Sequence, residues 1–121
     1  MEWKTKMLRP EDVTQLEANY REQEPVKGTS REIDFKPHVK LFNPVGAGTW
    51  LLTELEPETS IAFGLADLGF GCPEMGSVCL DELWSVRLPL GMRIERDIAF
   101  EAQKTLSAYS KEARRLGFIR A

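Results

Sequence analysis

The sequence predicts an α+β domain, an antiparallel sheet of four to five strands flanked by N- and C-terminal helices. Three observations lead there. Apolar residues recur at helical spacing near both ends of the chain, short runs rich in β-branched and aromatic residues fill its centre, and turn-forming stretches such as "NPVGAG" and "EPETS" separate those runs. At 121 residues, 42% hydrophobic and 29% charged, the chain can bury one core but not two, so residues 1–121 are expected to form a single domain. No run approaches the roughly 18 apolar residues of a membrane span. The charged opening, "MEWKTKMLRPEDV", lacks the apolar stretch of a secretory signal, and a cytoplasmic location is expected.

The elements follow in order. Pro10 with Glu11 and Asp12 suits the first turn of a helix, where proline loses no needed N–H and acids complement the helix dipole. Val13, Leu16 and Tyr20 then share one face, which predicts an amphipathic helix over 10–22 and a polar loop, "EPVKGTSREIDFKP", after it. "HVKLF", "TWLLTEL" and "IAFGLAD" read as three strands of a meander. In the second, alternation places Trp50, Leu52 and Glu54 on one face and Leu51, Thr53 and Leu55 on the other; in the third, Ile61, Phe63, Leu65 and Asp67 align. "SVCL" is a fourth short strand, "LDELWSV" a helical turn or two, and "MRIERDIAF" a last strand with Ile94, Arg96, Ile98 and Phe100 on one side. Leu106, Tyr109, Ala113 and Leu116 mark a C-terminal helix closed by Gly117. Trp50, Leu52, Phe63, Leu65, Val78 and Leu106 are core candidates.

The stretch "GLADLGFGCPEMGSVCLDEL" concentrates glycines, both cysteines and four carboxylates. Its glycine spacing is not the dinucleotide-binding fingerprint, and it has no lysine to meet a phosphate, so it reads as turn geometry. Cys72 and Cys79 lack the paired spacing of a zinc knuckle and are expected as free thiols. Glu54, Asp67, Glu74 and Asp81 offer oxygen ligands to a divalent cation if they converge, with Glu54 and Asp67 the pair to watch in a metal-dependent hydrolase or nuclease. The single histidine, His38, begins a strand and reads as a sheet-rim residue rather than a catalytic base. Arg96 is expected to pair with an acidic strand.

Charge is distributed unevenly. The net charge is −3, yet no lysine or arginine occurs from Leu41 to Val86, where Glu54, Glu56, Glu58, Asp67, Glu74, Asp81 and Glu82 lie. The stretch after it is basic, and Lys111, Arg114, Arg115 and Arg120 gather along the last helix and tail. An acidic middle suits docking on a protein with a basic surface; the basic end suits a nucleic acid.

The blocks "HVKLFNP", "TWLLTELEPE", "IAFGLADLGFGCPEMGSVCLDEL" and "PLGMRIERDIAF", over about residues 36–110, resemble the bacterial domain-of-unknown-function family twenty-nine fifty-eight. The resemblance implies a small single-domain protein of the kind carried by plasmids, integrated elements and phages. No activity, cofactor or catalytic residue comes with it. Together these features favour a non-enzymatic accessory protein, counter-defence included, that binds another protein through the seven acidic residues of the middle stretch and needs no cofactor. The enzyme and the nucleic-acid binder stand as alternatives.

Overall fold

The structure, a computed structural model, describes residues 1–121. Its core is one five-stranded antiparallel sheet in the order β4-β3-β2-β1-β5, built from β1 (Val39–Phe42), β2 (Thr49–Leu55), β3 (Ile61–Asp67), β4 (Glu74–Cys79) and β5 (Glu95–Arg96). Four helices accompany it: α1 (Trp3–Lys6), α2 (Pro10–Gln23), α3 (Leu80–Ser85) and α4 (Leu106–Leu116). Two 3₁₀ turns, Glu24–Val26 and Pro89–Gly91, link them.

Each face of the sheet is apolar for a different helical layer. Val39, Leu41, Trp50, Leu52, Leu55, Ala62 and Val78 pack beneath Trp3, Met7, Leu8 and Leu16 of the N-terminal segment, with Leu80 and Ile94 closing the edge. On the reverse face Leu51 and Leu65 meet Leu106, Tyr109 and Ala113 of α4 and Ile119 beyond it. Trp3 is fully buried, and its indole N–H donates to Ser60 Oγ at 3.2 Å, while Ser60 in turn donates to Asp81 at 2.6 Å. A buried tryptophan needs such a partner for its one polar atom.

A β-bulge sets which residues face which layer. β2 and β3 pair as Leu51↔Leu65 and Leu52↔Gly64, then skip Thr53 to resume at Glu54↔Phe63 and Leu55↔Ala62. The extra residue flips the alternation. Leu55 therefore joins Trp50 and Leu52, and Glu54 turns to the reverse face, opposite to the placement that strict alternation gives. The bulge frees the Thr53 carbonyl, and the buried Asn19 of α2 satisfies it through Nδ2 at 2.9 Å.

Five of the six core candidates are buried. Phe63 is not: it is 36% exposed, because α4 covers Leu51 and Leu65 but stops short of the β3 and β4 residues beside them. The last predicted strand also shrinks. Only Glu95 and Arg96 pair, with Phe42 and Leu41, since β1 offers four residues and Asp97 turns the chain by accepting from Ala99 N at 2.9 Å. Ile98 is left 81% exposed. At the fourth strand the correction runs the other way, for β4 begins three residues before the predicted Ser77.

α4 ends as expected. Gly117 adopts φ 85° and its N–H returns to Ala113 O at 2.7 Å. Gly71, in the connection between β3 and β4, has φ 82° with open space around its Cα. Gly71→Val should therefore cost backbone strain alone, about 1–3 kcal/mol, and lower Tm by several degrees in a thermal melt. An unchanged Tm would show that the connection relaxes freely.

Candidate functional site

The largest concavity, about 600 Å³, lies on the reverse face where α4 leaves the sheet uncovered. That volume is in the range of ligand and peptide clefts. Its floor is β2, β3 and β4, with Glu54, Phe63, Met75 and Ser77 facing in, and its wall is the segment after α2. Ile61, Phe63 and Met75 are 40%, 36% and 43% exposed. These are large apolar side chains on a surface that no helix covers.

The wall is fixed at three points although it contains no regular element beyond one 3₁₀ turn. Gln23, at the end of α2, forms a reciprocal pair with the backbone of Ile33: its Nε2 donates to Ile33 O at 2.7 Å and its Oε1 accepts from Ile33 N at 2.9 Å. Asp34 caps α4 in place of a local residue, accepting from Ser107 N at 3.1 Å and from the Ser107 hydroxyl. Leu106 N donates to Phe35 O at 2.8 Å. Burial would raise the Asp34 carboxyl, but the Ser107 bonds outweigh it and hold it below the ordinary carboxylate range.

The groove is acidic. Glu24, Glu32, Asp34, Glu54 and Glu56 line it, against a single cation, Lys27. Glu54 is 8% exposed at the bottom and accepts from its neighbour Thr53 Oγ1; Glu32 accepts from Gly28 N at 2.7 Å. Tyr20 registers the resulting field. Its phenol is held above the ordinary value by desolvation first and then by the negative charges of Glu24 and Glu56.

The seven acidic residues read from the sequence do not form one surface. Glu54 and Glu56 line the groove. Glu58, in the β2–β3 turn at φ 63°, and Asp81 with Glu82, which open α3, lie at one end of the sheet, where Leu80 N donates to Ser60 O. Glu74 and Asp67 belong to the opposite end. Asp67 is buried and structural: its two oxygens accept from Gly69 N at 2.9 Å and Ile119 N at 3.0 Å, fastening the tail behind α4 to β3.

Nor do Glu54 and Asp67 converge. Glu54 sits opposite Phe63, four residues before Asp67 on β3, which at about 3.3 Å per residue is roughly 13 Å. That separation is far beyond what one Mg²⁺ with ligands at about 2.1 Å spans. Cys72 and Cys79 are free, one before β4 and one at its end.

A second polar cluster lies on the other face. Asp12, fully buried in the first turn of α2, accepts from Arg9 N at 3.0 Å, Arg9 Nε at 3.2 Å and Arg9 Nη2 at 3.1 Å. His38 Nε2 lies 3.1 Å from its Oδ1 and Arg96 Nε 3.3 Å from its Oδ2. The partner of Arg96 is therefore a helix N-terminal carboxylate, not an acidic strand, because β5 pairs with Leu41 and Phe42 at the end of β1 rather than with β2–β4. Every acceptor position is taken, which marks this cluster as a clasp between α2, β1 and β5. Among the basic residues of the C-terminal segment, Lys111, Arg114 and Arg115 are exposed on α4, and Arg120 pairs with Glu112 at 3.4 Å.

Fold and site together define an α+β domain whose sheet packs a helical layer on each face and, where α4 leaves the reverse face open, presents an apolar-floored acidic groove. The chain belongs to the DUF2958 family, described as a protein of unknown function, whose profile matches residues 7–120. The match takes in α2 and α4 as well as the sheet, so both the groove wall and its floor fall within the family's extent. Neither a curated protein nor a solved structure matches the chain.

Proposed function

We propose that the protein is a non-enzymatic binding module that docks a basic, partly apolar segment of another protein in the groove between the 24–35 segment and strands β2–β4. The observation that carries this reading is the composition of the groove: five carboxylates and one lysine around a floor on which Ile61, Phe63 and Met75 stay exposed. Apolar surface left open supplies association energy of about 25 cal/mol per Å² buried, before the costs of ordering. The carboxylates select the sign of the partner and speed encounter. An accessory protein that occupies such a segment on a nucleic-acid-binding protein, counter-defence included, acts by that contact alone.

Unbiased selection of displayed random peptides against the purified protein tests the reading. Enrichment of sequences mixing lysine or arginine with apolar residues is expected. That enrichment should be lost with Glu24→Gln, Glu32→Gln and Glu56→Gln combined, and kept with Arg114→Ala and Arg115→Ala combined. Selection of acidic peptides, or selection that depends on Arg114 and Arg115, would move the site to α4 and end the groove reading.

A further inference from the structure

The outer strand of the sheet borders the groove. β4 is an edge strand, and its register with β3 is unbroken over six pairs from Ile61↔Cys79 to Ala66↔Glu74. Natural edge strands are guarded by lysine, proline, bulges or shortness. β5, the other edge, has only two residues, but β4 has six, with no lysine, no proline and no bulge. Glu74, Met75 and Ser77 are exposed, and a Cβ on Gly76 would meet nothing within 4 Å. No turn, loop or cap backbone bond of the chain engages the outward N–H and C=O groups of β4.

We infer that the docked segment is an extended one that adds to the sheet as a sixth strand along β4, and this rests on the groove reading above. Charge chooses the occupant. Glu74 lies on the edge, Asp81 and Glu82 follow it, and no cation occurs from Leu41 to Val86. A second copy of the chain would bring the same sign to the same edge and be repelled, whereas a basic segment is attracted. Geometry then fixes the pattern. Met75 and Ser77 belong both to β4 and to the groove lining, so alternate side chains of an added strand point toward the groove. Lysine or arginine at those positions lays its apolar stem over Met75 and Phe63 and extends its charged head toward the carboxylates. Backbone bonds along β4 supply affinity, and alternation supplies specificity.

The probe is an acetylated, amidated peptide alternating arginine and valine, together with two copies N-methylated on alternate backbone amides, one on the arginines and one on the valines. Charge is the same in all three, and only one set of amides faces β4 in a given register. Calorimetry at low salt should show one methylated copy weakened at least tenfold and the other little changed. Amide exchange should slow within Glu74–Cys79 when the parent peptide is added. Equal binding by all three peptides, still weakened by Glu32→Gln with Glu56→Gln, would overturn strand addition while leaving the groove reading in place. Absence of binding by the parent peptide would overturn both. A dimer with slowed β4 exchange in the peptide-free protein would assign the edge to a second copy and overturn the inference as well.

Discussion

Gly64→Ala is expected to be the most damaging small substitution in the chain, lowering Tm by roughly 10 °C or more or preventing folding. A Cβ at Gly64 would lie 1.9 Å from Leu51 O, 2.9 Å from Leu51 C and 3.0 Å from Leu52 Cα. All three are backbone atoms of the neighbouring strand, so no rotamer change relieves the overlap. β2 cannot retreat, because Leu51 and Leu52 are fully buried in opposite cores and a shift opens one as it crowds the other. The cost should reach or exceed the ~3 kcal/mol upper end of ordinary overpacking. Gly76→Ala is the control. It sits one strand away, directly opposite Gly64, with nothing within 4 Å of the added atom. Thermal melts of the two variants should differ widely, and a Gly64→Ala protein melting with the wild type would show that the β2–β3 approach is not as close as described.

Asp12→Asn should be the most damaging polar change. The carboxylate is buried and holds Arg9, Arg96 and His38 together, and stripping one member from a buried charged cluster costs about 3–5 kcal/mol. The lower end is expected here, since the Arg9 side chain is half exposed and can turn to water. The same residue should shape the acid limb of stability. Burial raises the Asp12 carboxyl, but the bonds and charge of Arg9, helped by Arg96, more than reverse this and hold it below its ordinary value. A carboxylate lowered in the folded state contributes stability that is present above its unfolded pKa, near 3.9, and is lost as pH falls through the folded value. Denaturant melts of wild type and Asp12→Asn should therefore converge as the pH is lowered below about 4. A gap that stays constant down to pH 3 would mean that the charge of Asp12 does not hold the clasp.

The sheet was legible because its breaks are chemical. "NPVGAG" and "EPETS" separate runs whose composition fits pleated surface, and β2 and β3 occupy the residues expected. The bulge at Thr53 was not legible, because no glycine or proline marks it; what stabilises it is Asn19, 34 residues earlier. That single skipped residue moved Glu54 to the groove face and Leu55 into the core. The site was half legible for a related reason. Glu54 and Glu56 stand out in a stretch free of cations, but Glu24, Glu32 and Asp34 lie in a segment whose charges balance locally and whose composition reads as a polar loop. The bonds that bring them over the sheet, Gln23 to Ile33 and Asp34 to Ser107, leave no periodic trace in the sequence. Exposure of Phe63 was hidden as well, since an aromatic residue alternating with Leu65 reads as core until the length of α4 is known.

Chemical-shift mapping on isotope-labelled protein tests the groove most directly. On titration with a peptide alternating arginine and valine at low salt, perturbations should concentrate at Tyr20, Lys27, Ile33, Phe63 and Met75, which line the groove. They should fade at 1 M salt, where the Debye length falls to about 3 Å. Perturbations centred on Lys111, Arg114 and Arg115, or none at any peptide concentration, would contradict the assignment of the groove as the binding surface.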